Sequence, residues 1–286
     1  MKISSLFGKG RTVLSFEVFP PKKTSPVETI YSTLAELKDL SPDFISVTYG
    51  AGGNAADTTT CDIAAYINKE LGIPSAAHLT CVYSTREDIL TRLGQLKERG
   101  VENILALRGD VNPEIPRLHE FEYASDLTRF IKEHGDFHVS GACYPEGHLE
   151  AESMAKDINS LKIKIEAGAE HLMSQLFFDN SVFHNFREML EIAGITVPVE
   201  AGIMPVTNKK QIERMVSMCG ASLPSKFSKM MQKYENNPEA LRDAGIAYAV
   251  DQIVDLISSG VDGIHLYTMN NPYVARKISE SVRSLL

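Results

Sequence analysis

One carboxylate, Glu17, stands in the apolar run Leu14-Ser-Phe-Glu-Val-Phe-Pro-Pro21, a short strand stopped by two prolines. Alternation puts Val13, Ser15, Glu17 and Phe19 on one face and Leu14, Phe16 and Val18 on the other, and both faces suit burial. An acid placed there is costly unless it has partners or keeps a proton, so Glu17 has either a structural mate or a proton to deliver. Other polar residues fall at the ends of other apolar runs: Thr48-Tyr49, His78 and Thr80, Arg108-Gly109-Asp110, Tyr144, Gln175 and Tyr267. A scaffold built for stability alone would place Val, Ile and Leu there, so the convergence points to a functional mouth. Singly, each has a bland explanation. His78 could be a core histidine, Arg108 and Asp110 an ion pair, and Glu200, a second acid in an apolar strand, half of a salt bridge. No His, Cys, Asp and Glu set has metal-ligand spacing, so no metal is expected; His134 and His138 straddle a Gly-Asp turn and read as solvated.

Two stretches could hold a phosphate or a nucleotide. Asp157, Ser160 and Lys164 recur at helical spacing, so all three can face one ligand, with Lys164 on a phosphate and Asp157 on a sugar hydroxyl. The competing reading is an exposed helix face. Gly50-Ala51-Gly52-Gly53-Asn54-Ala55 satisfies G-x-G-x-x-A between a strand and a helix, with Glu70 about twenty residues past the first glycine. A glycine-rich loop crossing a barrel mouth explains the same letters and is preferred.

The elements that must position these residues alternate. After the first strand, Val27, Ile30, Tyr31, Leu34, Leu37 and Leu40 give a helix with Pro26 in its first turn. Strands follow at Phe44 to Thr48 and Ser75 to Val82, with a helix from Thr58 to Leu71 between them. Further strands begin near Asn103, Phe137, His171 and Val197, and helices include Ile158 to Ala167 and Phe183 to Ile192. Strand starts lie roughly thirty residues apart, one β-plus-α unit. Between Val206 and Asp262 there is room for more than one helix; Asn237-Pro238 caps one running from Leu241 to Ile257. An eighth strand, Gly263 to Tyr267, and a closing helix from Tyr273 to Leu286 complete the pattern. The fold expected is a (β/α)8 TIM barrel: one catalytic domain over 1–286, with an extra helix before the last strand and no regulatory domain.

The 43% hydrophobic content of the 286 residues suits a large core, and the net charge of −8 argues against a nucleic-acid binder. Cys61, Cys81, Cys143 and Cys219 lie far apart, which fits free thiols in a reducing compartment, by default the cytoplasm. Met1 to Arg11 lacks a signal-peptide core, and no apolar run reaches the roughly 18 residues a membrane span needs.

In order along the chain, Phe16-Glu-Val-Phe-Pro-Pro21, Ser46-Val-Thr-Tyr-Gly-Ala51, His78-Leu-Thr-Cys81, Ala106-Leu-Arg-Gly-Asp110, Tyr123-Ala-Ser-Asp-Leu127, Tyr144-Pro-Glu146, Gln175-Leu-Phe-Phe-Asp179 and Gly202-Ile-Met-Pro205 resemble the motif series of the 5,10-methylenetetrahydrofolate reductase family in its single-barrel bacterial form. The resemblance implies an FAD-dependent barrel in one-carbon metabolism that reduces methylenetetrahydrofolate to 5-methyltetrahydrofolate with NADH or NADPH, the two substrates taking turns on one flavin face. It implies that Glu17 is the general acid that protonates folate N5 and opens the ring to an iminium cation, with Asp110 tuning the flavin and favouring the cation. It places Gln175 and Gln211 on folate, and Thr48, Tyr49, Ala51, His78, Arg108, Gly109, Asp110, Tyr123, Ala124, Tyr144, His148, Asp157, Ser160 and Lys164 on FAD, with Thr48 also meeting NAD(P)H. Homo-oligomers are common in the family. The chain departs from the pattern at Asn271, where Arg is usual for the folate tail and Arg276 is a possible substitute, at Glu200-Ala201 in place of an apolar-Pro pair, and at Ile163 in place of a basic residue.

Overall fold

A computed structural model describes residues 1–21, 26, 28–49 and 58–286, with the Gln211 side chain left out. Eight strands form a closed parallel ring in chain order: β1 (Val13–Val18), β2 (Phe44–Val47), β3 (Ser75–Thr80), β4 (Asn103–Leu107), β5 (His138–Cys143), β6 (His171–Ser174), β7 (Val199–Ile203) and β8 (Gly263–Tyr267). The ring rules out the open doubly wound sheet that a dinucleotide fingerprint at Gly50 would need; that loop itself lies outside the described residues.

Six helices cover the first six strands: α1 (Glu28–Lys38), α2 (Thr59–Lys69), α3 (Arg86–Glu98), α4 (Ala124–His134), α5 (Met154–Glu166) and α6 (Asn180–Ile192). Their starts follow local chemistry. Thr85 and Asp88 cap α3 reciprocally, and Asp179 accepts from Ser181 N at the start of α6. Between β7 and β8 lie α7 (Lys209–Cys219), α8 (Ser225–Tyr234) and α9 (Pro238–Ser258), so the single extra helix expected is two. The break between α7 and α8 falls at Gly220 and Pro224, inside a polar stretch with few apolar residues to mark two separate faces. The Asn237 side chain caps α9 with Pro238 as its first residue, as the sequence indicates. α10 (Pro272–Val282) closes the chain against α9 and α1.

The two faces of β1 separate as alternation predicts. Leu14, Phe16 and Val18 join Ile30, Leu34 and Leu37 in the layer between ring and helices, while Val13 packs inside the ring with Phe44, Ala76, Leu105 and Met173. The interior floor is filled by a short 3-10 turn, Ile3–Leu6, which sequence reading missed: Ile3 and Leu6 are buried in the same cluster, and Ile3 N donates to Asn103 Oδ1 at 2.8 Å. Asn103 Nδ2 in turn donates to Ser75 O at 2.9 Å, so this end of the barrel is held by satisfied polar groups as well as apolar ones. One expectation is reversed. His134 is exposed, but His138 is fully buried, because it opens β5 with its side chain turned into the ring. Among the described residues no helix is long and apolar enough to cross a membrane, and no His, Cys, Asp and Glu group is arranged to hold a metal.

Candidate active site

The C-terminal ends of the strands open into a cavity of about 870 Å3. Glu17, Thr48, Tyr49, His78, Thr80, Arg108, Gly109, Asp110, Tyr144, His148, Gln175 and Tyr267 all line it. Parallel strands of one ring present their C-terminal ends on one side, which is why residues more than 200 positions apart share a wall.

Glu17 lies deep in this wall, its side chain 18% exposed. Its Oε2 is 3.6 Å from His78 Nε2 and 3.6 Å from His265 Nε2, contacts of charge and dipole rather than formed hydrogen bonds. Burial pushes the His78 imidazole down to about 4 against the opposing attraction of Glu17, so His78 is neutral at pH 7. Register sets the neighbours of Glu17 on either side: Ser46 on β2 and Tyr267 on β8. The Tyr267 hydroxyl donates to Ser174 O at 2.8 Å, and burial, then Glu17, holds its proton on well above the usual phenol range.

Across the cavity, Gly109 turns β4 outward with φ of +89° and lies so close to Thr80 and Val82 that a Cβ would meet each at 3.2 Å. That turn sets the exposed Asp110 on the rim. Burial, followed by the charge of Asp110, pushes the Tyr144 phenol up to about 12. Arg108 does not pair with Asp110; its guanidinium grips Glu150 with two bonds of 2.6 and 2.7 Å. Gln175 Oε1 accepts from Leu176 N at 2.9 Å, which leaves its amide nitrogen for a ligand. The Tyr49 ring lies 4.7 Å from the guanidinium carbon of the buried Arg92.

Other expected site residues stand apart from this wall. Asp157 is buried and accepts from His148 N at 3.1 Å. The Lys164 ammonium donates to Ala142 O at 2.5 Å, and burial lowers its pKa. Ser160 is exposed and donates to Lys156 O of its own helix, so the three do not meet one ligand face. Asp157 and Lys164 nevertheless hold two residues of the cavity wall, His148 and Ala142, from behind. Tyr123 and Ala124 lie at the start of α4, with Tyr123 66% exposed. Ala51 and the Gln211 side chain are outside the described residues. Asn271, in place of the usual Arg, caps α10 by accepting from Val274 N, while Arg276 lies 3.9 Å from Asp39, just past the end of α1, and does not line the mouth. Ile163 is exposed on α5.

Sequence reading missed Met204, Met215, Cys219 and Met269 on the apolar side of the cavity. Two of them come from α7, an element not separately anticipated, and a lone Met carries no signal of its own.

The arrangement is an acid with aromatic neighbours at the back of a cavity that has a second acid at its rim. Among solved structures, an uncharacterized protein from Clostridium thermocellum that binds two copies of 5-methyl-5,6,7,8-tetrahydrofolic acid has the same fold, with a TM-score of 0.67 at 14% identity over 96% of both chains. A family model described as methylenetetrahydrofolate reductase matches residues 2–283. A 5,10-methylenetetrahydrofolate reductase of Pectobacterium carotovorum is 37% identical over 274 residues, 96% of this chain and 91% of the relative. Methylenetetrahydrofolate reductase (NADH) 1 of Arabidopsis thaliana is 34% identical over 284 residues, 94% of this chain and 48% of the plant protein. With the match running from the floor-filling turn to the last helix, through every strand that lines the cavity, this chain belongs to the methylenetetrahydrofolate reductase family of oxidoreductases.

Proposed function

We propose that the chain is a flavoprotein that reduces 5,10-methylenetetrahydrofolate to 5-methyltetrahydrofolate, drawing electrons from NADH or NADPH through bound FAD. The observation that carries this reading is Glu17 at the back of the cavity, reachable from the mouth and facing two imidazoles.

The residues present fit a flavin. A cavity of about 870 Å3 is in the range of sites that enclose a large organic ligand. Its wall offers Tyr49, Tyr144 and Tyr267 beside Leu107, Met173 and Met204, surfaces suited to flat rings. His78 Nε2 is buried without a hydrogen-bond partner and faces this space. Arg108 and His148 supply basic groups for a diphosphate, and Asp157 and Lys164 position His148 and Ala142. Bound there, FAD would supply hydride transfer between the nicotinamide and folate.

Reduction adds one hydride and one proton to the substrate. Opening of the five-membered ring breaks the bond from the methylene carbon to N10, and N5 keeps the carbon as an iminium. The departing N10 takes the electron pair, so electron counting puts the proton from Glu17 on N10 of the product and replaces the expected destination, N5. Glu17 is placed at the back of the site to deliver that proton, and the negative charge of Asp110 favours the cation that ring opening creates. Gln175 offers its amide nitrogen to the pterin or the nicotinamide.

The visible spectrum tests the reading. A yellow protein, bleached by NADH or NADPH and recoloured by methylenetetrahydrofolate, supports it, and Glu17→Gln is expected to keep the bleaching while slowing recolouring by roughly 10²–10⁴-fold. A colourless protein that FAD does not reconstitute would sink it. That outcome favours a barrel that binds folate without redox chemistry, a reading suggested by the methyltetrahydrofolate-binding neighbour.

A further inference from the structure

Behind Glu17 the ring holds polar side chains that this reaction does not use. Ser15, two residues back on the same strand face, has its Oγ 2.6 Å from His265 Nδ1 and 2.8 Å from Glu200 Oε1. Glu200 Oε2 lies 3.0 Å from His171 Nε2, close but not aligned as a hydrogen bond, and His171 Nδ1 lies 2.9 Å from Ser140 Oγ. Ser140 Oγ is 3.2 Å from His138 Nε2. The two ends are looser: His265 Nε2 is 3.6 Å from Glu17 Oε2, and His138 Nδ1 is 3.6 Å from Glu170 Oε2. Every member between the two end carboxylates is buried, whereas the Glu170 side chain is 37% exposed. Glu170 immediately precedes β6, so it stands on the face of the barrel opposite the mouth.

Such a line is costly in a core that apolar residues could fill. The ring also makes room for it: a Cβ on Gly263 would lie 2.6 Å from Glu200 Cγ, so β8 carries no side chain where the Glu200 side chain crosses it. Burial, followed by the nearby His171, pushes the His138 imidazole down to about 4, so this ring is neutral at pH 7 and passes a proton only by releasing one from Nε2 as Nδ1 gains one.

We propose that these side chains form a proton relay that resupplies Glu17 from solvent at the far face of the barrel; the proposal rests on Glu17 being the folate acid. Each turnover takes one proton from Glu17, and a ligand filling the cavity covers the side of Glu17 that faces the mouth. Each relay member can accept a proton on one atom and release another from a different atom or lone pair. A proton entering from Glu170 forms an N–H bond at His138 Nδ1 as the N–H at Nε2 breaks toward Ser140. The same exchange runs through His171, Glu200, Ser15 and His265, and ends with an O–H bond on Glu17. One proton enters, one leaves, and no group is oxidised or reduced. The two 3.6 Å contacts are too long for transfer as they stand and close by rotation of the Glu17 and Glu170 carboxylates, tightening by somewhat under about 1 Å, and the 3.0 Å contact of His171 with Glu200 needs a small turn of the Glu200 carboxylate to align.

Glu200→Gln keeps the shape at the centre of the line and removes the titrating group, and Ser140→Ala interrupts the line at a second point. In the holoenzyme, reduced beforehand, both variants are expected to make the first folate reduction at the wild-type rate, using the proton already on Glu17. Bleaching by NADH is also expected to be unchanged, while steady-state kcat falls about tenfold, part of what an acid contributes. Wild-type kcat in both variants overturns the relay, as does equal slowing of the first turnover and of bleaching, which a merely structural role would give. A second readout needs neither flavin nor folate. In cofactor-free protein labelled with 15N-histidine, the His171 imidazole N–H is expected to exchange rapidly with D2O in the wild type and to be retained when Ser140→Ala and Glu200→Gln together cut the line on both sides of it. Equal exchange overturns the relay even if the chain reduces folate, and a wild type that exchanges rapidly but reduces no folate overturns the proposed function and leaves a relay without its acid.

Discussion

At the residue His78, burial outweighs the neighbouring carboxylate of Glu17, and the folded-state pKa falls from 6.5 to about 4. The unfolded chain therefore binds a proton between those values that the native state does not, and stability rises with pH across that window. The contribution is complete above pH 6.5 and is lost as pH falls toward 4. At about 1.4 kcal/mol per pKa unit, acidification from pH 7 to 4.5 costs roughly 2–3 kcal/mol at this site. Urea midpoints at the two pH values, compared with those of His78→Gln, measure it: the variant is expected to lose less stability by that amount. Equal losses would show that His78 takes up its proton in the folded protein as readily as in the unfolded one.

At the scale of the element, β7 and β8 are fitted to each other through Glu200 and Gly263, which are paired in register. Gly263→Ala would put a methyl group 2.6 Å from Glu200 Cγ and is expected to cost about 1–3 kcal/mol, the usual range for overpacking. In a Glu200→Ala background the same change is expected to cost less, a coupling of roughly 0.5–3 kcal/mol in denaturant midpoints; additive effects would mean that the close approach relaxes elsewhere. Glu200 also shows what was legible beforehand. Alternation on β1 and the regular spacing of strands gave the ring and the polar ends that face its mouth, because both depend on local period alone. The salt-bridge reading of Glu200 found only part of its setting, since Ser15 approaches it from β1, 185 positions away, while His171 comes from the adjacent β6. His138 was misjudged because the Gly135-Asp136 turn stops short of it and β5 begins at the histidine. Helical spacing expects Asp157, Ser160 and Lys164 to face one ligand, but Ser160 bonds its own helix, and the partners of the other two, the His148 amide and the Ala142 carbonyl, are tertiary facts. The Met and Cys side chains of α7 at the mouth were likewise set by a crossing that sequence period does not encode.

At the scale of the whole molecule, the ring is closed by the pairing of β1 with β8, which brings Ser15 and His265 together from 250 positions apart. Glu17, the acid proposed above, is on one side of that seam, and His265 and Tyr267 are on the other. Local β-plus-α units can form early, whereas a contact of this span carries the largest loop-closure cost in the chain. Refolding from denaturant is therefore expected to restore the far-UV helical signal before folate reductase activity; simultaneous recovery would place closure of the seam at the start. A ribosome-bound or truncated chain that lacks β8 has most of its helices but no finished acid site. If closure of the seam comes last, activity in this barrel reports the last event of folding, and under the proposed mechanism a half-made copy would have no means of opening folate to an exposed iminium before its site is complete.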